Sequence, residues 1–313
     1  MIVKQKPIVV VGSINMDMVT NTSQIPVAGQ TVEGSDFRLH PGGKGANQAV
    51  AIARLGYPVY LIGRVGDDAF AVPLRDSLAD AGVNVDCVMT SEGPSGVAAI
   101  VVAQAGQNCI VVVPGANAKL CPADLDTHID VIRSAGLVLT QLEIALETVN
   151  YLASVCEREG VPLVLDPAPA RELPDSLMQQ VRWFTPNETE AAFFLPSSEG
   201  AVSEQRPRVL AQRLMAQGPS GVVLKLGQRG CYLASEDGLS EMVDSFMVDA
   251  VDTVAAGDCF NGAFATGLMM SMSPSEAAHF ASAAAAISVT RAGAQSSMPR
   301  LEEVHQLMEA AQR

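Results

Sequence analysis

Positive charge is scarce in this chain. Its 313 residues carry 20 Lys and Arg against 34 Asp and Glu, a formal net charge of −14. Such a field repels a phosphate backbone, which argues against nucleic acid as a partner. Any anionic substrate must then be held by local devices such as helix ends, glycine loops and a metal ion. The six cysteines (87, 109, 121, 156, 231 and 259) include no C-x-x-C pair, which argues against a disulfide framework and for a reducing compartment. The four histidines show no metal-ligand spacing. No apolar run approaches the roughly 18 residues of a membrane span, and the N-terminus lacks the apolar region and cleavage site of a signal peptide. The expectation is a cytoplasmic protein with no membrane partner. Aromatic residues make up only 4% while Ala, Val and Gly abound, which suits close packing of helices on a parallel sheet.

What is present is enough for a large core: 48% of the residues are hydrophobic. That fits one big α/β domain with an appendage, or two smaller domains. Ile8-Val-Val-Val-Gly12 reads as a buried parallel strand, a β-branched run ending in Gly, and Val59–Ile62, Leu137–Thr140, Pro162–Leu165 and Val222–Leu226 read likewise. Helical patterns at Ala46–Leu55, Phe70–Ala81, Leu146–Glu159 and Pro207–Gln217 lie between them, implying βαβ units. Residues 13–38 and 95–113 break this rhythm. The first carries Pro, Gly and alternating β-like pieces; the second reads as a hairpin turning at Gln104–Asn108. Both are expected to form a small β lid, with residues 1–12, 39–94 and 114–313 as the core. In the C-terminal third, Ser273-Pro-Ser-Glu276 is a capping box that starts a helix expected to run to about Thr290, its alanines packing on the helix after Asp258.

The most informative stretch is Asp252-Thr-Val-Ala-Ala-Gly-Asp258. Three small residues open a helix, where unpaired N–H groups and the macrodipole attract an anion. A carboxylate at the same spot cannot bind that anion. It is better placed to take a proton from a nucleophile attacking it. Anion cradle plus base suggests phosphoryl transfer; the plainer alternative is a helix capped by Asp252 or Thr253.

Other windows add to it. Gly12-Ser-Ile-Asn15-Met-Asp17 follows the first strand, where open α/β sheets bind ligands; its amide and carboxylate suit vicinal hydroxyls, or equally a turn with Asx bonding. Pro41-Gly-Gly-Lys-Gly-Ala-Asn47 is a glycine-rich loop opening a helix, though it is not a Walker motif. In Thr185-Pro-Asn-Glu-Thr-Glu190, Asn187 and Glu190 share a face and can organise water and Mg²⁺, or simply cap a helix. Lys225-Leu-Gly227 through Gly230 ends a strand with glycines that let a nucleotide approach the backbone.

Taken with Gln141-Leu-Glu143, Asp166-Pro-Ala-Pro-Ala170 and Arg291-Ala-Gly-Ala-Gln-Ser-Ser-Met-Pro299, these windows resemble, in order, the PfkB family of carbohydrate kinases over nearly the whole chain. The resemblance implies a three-layer α/β fold with a central, mainly parallel sheet and a small β lid. It implies ATP-dependent phosphorylation of the 5-hydroxyl of D-ribose, with 2-deoxyribose, another sugar or a nucleoside as alternatives, and a non-catalytic sugar-binding regulator as a remoter one. It makes Asp258 the base and the N–H groups of Ala255, Ala256 and Gly257 the anion hole. Asn15, Asp17, Gly43, Lys44, Asn47 and Glu143 become the sugar shell. Asn187, Lys225, Gly227 and Ser282 become nucleotide contacts, with Glu190 on the Mg²⁺ side. Asp252, Val254, Ser288, Arg291, Gly293 and Ser297 match an activating K⁺ site. Lys225 stands where related sugar kinases often have Thr, Asp166 where Asn is frequent, and Ser282 where an adenine-side Asn is often found. A homodimer through the lid is expected, because its strand edges and apolar faces need cover.

Overall fold

The computed structural model describes residues 5–195 and 206–311. Its strands are β1 (Ile8–Val11), β2 (Asn15–Thr22), β3 (Gly34–Gly42), β4 (Val59–Val65), β5 (Val88–Thr90), β6 (Gly96–Ala103), β7 (Asn108–Val113), β8 (Leu137–Thr140), β9 (Leu163–Leu165), β10 (Trp183–Phe184), β11 (Gly221–Lys225), β12 (Cys231–Ser235) and β13 (Ser240–Val243). Among the described residues they form two sheets, one of nine strands in the order β13-β12-β11-β10-β9-β8-β1-β4-β5 and one of four, β3-β2-β6-β7.

The large sheet is parallel from β5 to β11, and β12 and β13 extend it antiparallel at one edge. Its central strands are continuous apolar runs because both faces are covered. Ile8 and Val10 join one core, with the helices Lys44–Arg54, Ala71–Asp80, Ala256–Met269, Pro274–Ser288 and Leu301–Ala311. Val9 and Val11 join the other, with Leu146–Glu159 and Pro207–Met215 among its helices. The fold is therefore a three-layer α/β sandwich. The expected strands and helices lie within a few residues of those observed. β12 and β13 were not read from the sequence; they form a hairpin whose register runs from Cys231↔Val243 to Ala234↔Ser240. Among the described residues no helix is long and apolar enough to cross a membrane.

In the four-stranded sheet, β2 pairs antiparallel with β3 and parallel with β6, and β6 pairs antiparallel with β7. The boundary expected at residue 38 is corrected by β3, which continues to Gly42. Its ladder with β2 runs on through Asp17↔His40 to Asn15↔Gly42, so the strand leads straight into the helix Lys44–Arg54.

Chain connections fix where a ligand can sit. β1 is flanked by β4 on one side and β8 on the other, so the strand order reverses there. A crevice opens at the carboxyl ends of strands at such a switch point. The helix Lys44–Arg54 crosses it beside the helix Ala256–Met269. A Cβ on Gly262 would meet Ala51 Cβ and the Gln48 carbonyl at 2.8 Å, so the missing side chain permits that approach.

Candidate active site

The crevice is assembled from the ends of β1, β8, β9 and β11 and the starts of two helices. Gly43, at φ 88°, turns the chain out of β3 and caps the helix Lys44–Arg54 without a side chain. The missing cap is supplied from β8: Glu143 Oε2 accepts from Lys44 N at 3.1 Å and from Ser13 Oγ at 2.6 Å. A carboxylate at a helix N-terminus is favourably placed against the dipole. Asn15 Oδ1 accepts from Asn117 Nδ2 at 2.7 Å, and Asn117 Oδ1 accepts from Ile14 N at 2.9 Å. Asn117 had no motif to mark it, since it lies just after the four-stranded sheet in a short turn.

Asp17 is half-buried in the same crevice. Burial, then Glu143, then Asp258 raise its pKa from 3.8 to about 7. Lys44 stays firmly charged: burial works against its ammonium, but Asp258, Asp166, Glu143 and Glu190 outweigh that and raise its pKa.

Asp258 lies in the first turn of the helix Ala256–Met269 and is buried, at 5% exposure. Its Oδ2 accepts from Asn47 Nδ2 at 2.9 Å and its Oδ1 from Gln48 Nε2 at 3.1 Å. Burial raises its pKa; Lys44 opposes that, Asp166 adds to it, and the Asn47 and Gln48 bonds oppose it. The residue before the helix, Ala255, holds the left-handed conformation at φ 58°, strained for a residue with a Cβ. The N–H groups of the first turn have no acceptor within their own helix. Of the three residues expected to form the anion hole, Ala256 also turns its N–H toward Thr253 O, at a long 3.3 Å.

Of the residues expected on the nucleotide side, Lys225, Gly227 and Ser282 line a cavity of about 440 Å³ against that helix start, together with Phe246, Gly257 and Val289, whereas Asn187 and Glu190 lie outside its lining. Lys225 Nζ lies 3.6 Å from where a Cβ on Gly257 would stand and pairs with Asp166 Oδ1 at 3.1 Å. Lys225 N donates to Pro186 O at 2.8 Å, which sets Asn187 beside it. Asn187 and Glu190 form a reciprocal capping box: Asn187 N donates to Glu190 Oε2 at 2.8 Å, and Glu190 N to Asn187 Oδ1 at 2.8 Å. Burial raises the pKa of Glu190, with Lys225 opposing. The 244–251 segment contributes Ser245, Phe246, Met247, Val248 and Ala250 to the cavity wall and carried no sequence signal.

The segments holding the expected K⁺ residues are tied to one another. Asp252 Oδ1 accepts from Val254 N at 3.0 Å and Oδ2 from Gly293 N at 2.9 Å. Ser288 and Ser297 donate their hydroxyls to Ala285 O and Ala294 O, and the Arg291 guanidinium pairs with Glu303. The side chains here hold the loops in place, and the Ser288 carbonyl accepts from Arg291 N at 3.2 Å.

A three-layer sheet whose switch point holds a buried carboxylate at a helix N-terminus, between a polar shell and an apolar cavity, defines a small-molecule kinase. The chain belongs to the pfkB family of carbohydrate kinases, whose profile matches residues 5–301. It is 39% identical over 302 residues to a ribokinase from Bacillus subtilis, covering 96% of this chain and 99% of that protein. It is 37% identical over 306 residues to a deoxyribokinase from Salmonella typhimurium, covering 96% and 98%. The solved structure of Arabidopsis thaliana ribokinase complexed with ribose and ATP has a TM-score of 0.89 at 33% identity, covering 97% of this chain and 99% of that one.

Proposed function

We propose that this chain transfers the γ-phosphoryl group of ATP to the 5-hydroxyl of D-ribose, giving ribose 5-phosphate and ADP. The observation that carries the reading is Asp258, buried at the helix start that faces the cavity and tied to Asn47 and Gln48 of the glycine-loop helix. The similarity to a ribokinase of known complex with ribose and ATP supports it.

In this reading the sugar lies over Asn15, Asp17, Gly43, Lys44, Asn47 and Glu143, whose carboxylates and amides pair with its hydroxyls. Its terminal hydroxyl points at Asp258, which takes the proton as the oxygen attacks phosphorus. The Lys225 ammonium and the first-turn N–H groups of Ala255, Ala256 and Gly257 meet the charge that gathers on the phosphoryl oxygens. ATP lies along the cavity past Gly227 and Ser282. Mg²⁺ enters with the nucleotide and neutralises phosphate charge; Glu190, acidic yet already bonded to Asn187, suits a water-mediated role better than a direct one. The carbonyls of Val254, Ser288, Arg291 and Gly293 would hold a K⁺ ion, whose weak hydration suits neutral oxygens, and the ion would supply order to the loop before Ala255. Two copies associate through the four-stranded sheet, and the free cysteines suit the cytoplasm.

The second reading, phosphorylation of 2-deoxyribose, is favoured by the comparable identity to a deoxyribokinase. ADP release measured with ribose, 2-deoxyribose, fructose and adenosine separates the two. Ribose is expected to have the highest kcat/KM, because polar groups left unpaired by a missing hydroxyl cost up to about 10⁴-fold. Equal values for ribose and 2-deoxyribose would favour the second reading.

A further inference from the structure

Four elements of the crevice meet at one side chain, which directly follows Asn47 of the glycine-rich loop. Gln48 is fully buried, in the second turn of the helix Lys44–Arg54. Its amide nitrogen has two hydrogens and both are used: one goes to Asp258 Oδ1 at 3.1 Å, the other to Asp166 Oδ2 at 2.9 Å. Its amide oxygen accepts from Gln141 Nε2, just past β8. The other oxygen of Asp166 receives Lys225 Nζ at 3.1 Å. The orientation of the Gln48 amide is set by this arrangement. Flipped, its oxygen would face two carboxylates and Gln141 would lose its acceptor.

We infer that Gln48 and Asp166 are positioning residues for the phosphoryl transfer, a neutral bridge that holds the base on the sugar side and Lys225 on the phosphate side in one fixed geometry. The inference rests on Asp258 acting as the base. Two buried carboxylates this close repel, and an amide nitrogen donating to both relieves that repulsion while adding no charge. Asp166 in turn anchors Lys225, whose ammonium stands next to the helix start at Gly257. A shift of Gln48 would therefore misplace the base and the phosphate-facing ammonium together. A glutamate at position 48 could not do this, because it would add a third carboxylate.

The charged groups facing Asp258 are Lys44 and Asp166, with Asp17 and Glu143 beyond them in the sugar shell. The two members of the bridge act on the base with opposite sign. Asp166 adds negative charge and favours the protonated form of Asp258, whereas the Gln48 hydrogen bond favours the ionised form. Asp166→Asn is therefore expected to move the acid limb of the kcat profile to lower pH. Gln48→Met is expected to move it to higher pH and to lower plateau kcat by about 10²-fold, the scale of an ångström-size misplacement, with sugar KM changing far less.

The experiment pairs those profiles with carboxyl ¹³C titration of Asp258 in ¹³C-aspartate-labelled protein without substrates, its signal assigned by its loss in Asp258→Asn. Opposite displacements of Asp258 in the two variants support the inference. No displacement in either, or displacement in one common direction, overturns it. If Gln48→Met does not fold, the conservative Asp166→Asn decides alone: an unmoved Asp258 titration overturns the bridge. Absence of sugar phosphorylation by the wild type would strike the proposed function, while the ¹³C titration would still decide the bridge.

Discussion

The tetrapeptide Ile-Val-Val-Val occurs twice in this molecule, with opposite fates. As β1, Ile8–Val11 is 0% exposed at every residue. In β7, the same four residues at 110–113 are 51%, 58%, 46% and 50% exposed. Both are strands, so local propensity is satisfied equally in each. The difference lies in what covers them. β1 has a strand on either side and helices on both faces, whereas β7 is the outer strand of a four-stranded sheet and is left about half exposed by the described residues. An apolar edge of this kind is a liability unless something pairs with it. The first copy underlies the candidate site; the second leaves a half-exposed apolar strand at a sheet edge.

The largest effect expected lies at the buried end of that comparison. Asp258→Asn keeps the shape of the base but removes its ability to accept a proton, so kcat should fall by about 10²–10⁴-fold. Sugar binding, followed calorimetrically, should change little, and so should the molecular mass in solution. Near-wild-type turnover would mean that another group is the base.

Next comes the same substitution made in each copy of the tetrapeptide. Ile8→Ala should destabilise the fold by about 2–5 kcal/mol, through lost burial and a cavity that neighbouring strands cannot close. Urea denaturation gives the value, and a loss as small as that of a surface site would contradict the packing described for β1.

A third test falls where the two sheets meet, at Asp17 on β2. Its folded pKa of about 7 is raised above that of an unfolded aspartate, near 3.9. Between those values the folded chain holds a proton the unfolded chain has lost, so Asp17 costs stability progressively as pH rises toward and through 7. Asp17→Asn should therefore have a higher Tm than wild type at pH 8 and an equal one near pH 4. An ionised Asp17 is the better hydroxyl acceptor, so ribose affinity should weaken by about tenfold from pH 8 to pH 6 if only that form binds. A flat affinity profile would remove Asp17 from the sugar shell.

The smallest change in fold stability belongs to the exposed copy. Ile110→Ala should stay within about 0.5 kcal/mol of wild type, as surface substitutions do. Ile110→Lys together with Val112→Lys should halve the mass seen by light scattering if β7 lies in a dimer interface. An unchanged mass would mean that the dimer, if there is one, uses another face.

The parts of the fold legible in the sequence were those whose signal is local. Leu137–Thr140 and Leu146–Glu159 match their elements residue for residue, and the first strand ends one residue before the expected Gly12, because a short apolar run or a long amphipathic period needs no distant partner to be read. The capping box at Ser273 and Glu276 is likewise a contact within one turn. β12 and β13 carry no such signal: Cys231–Ser235 becomes a buried strand because β11 offers it a ladder. In the site, Asp258 and Asn47 could be singled out from their glycine-rich surroundings. Gln48 and Gln141 stand in or beside windows that carry the family resemblance and Asn117 in none, but the part each plays was not legible, because each is an ordinary amide until distant chain brings its partners near. The spacing of Asn187 and Glu190 suits organisers of water and Mg²⁺ or a helix cap. Their side chains form the cap, three residues apart.

The sequence by itself determined the alternation of strands and helices, the acidic net charge, and the helix start that sets small residues before a carboxylate. These follow from composition, periodicity and the backbone chemistry of neighbours along the chain. Only the tertiary structure decided which Ile-Val-Val-Val is buried, how far β3 runs, and that one amide from the helix Lys44–Arg54 spans the carboxylates of Asp258 and Asp166. Burial is a property of what packs on a segment. A hydrogen bond across 210 residues exists only once the sheet has brought its two ends to the same crevice.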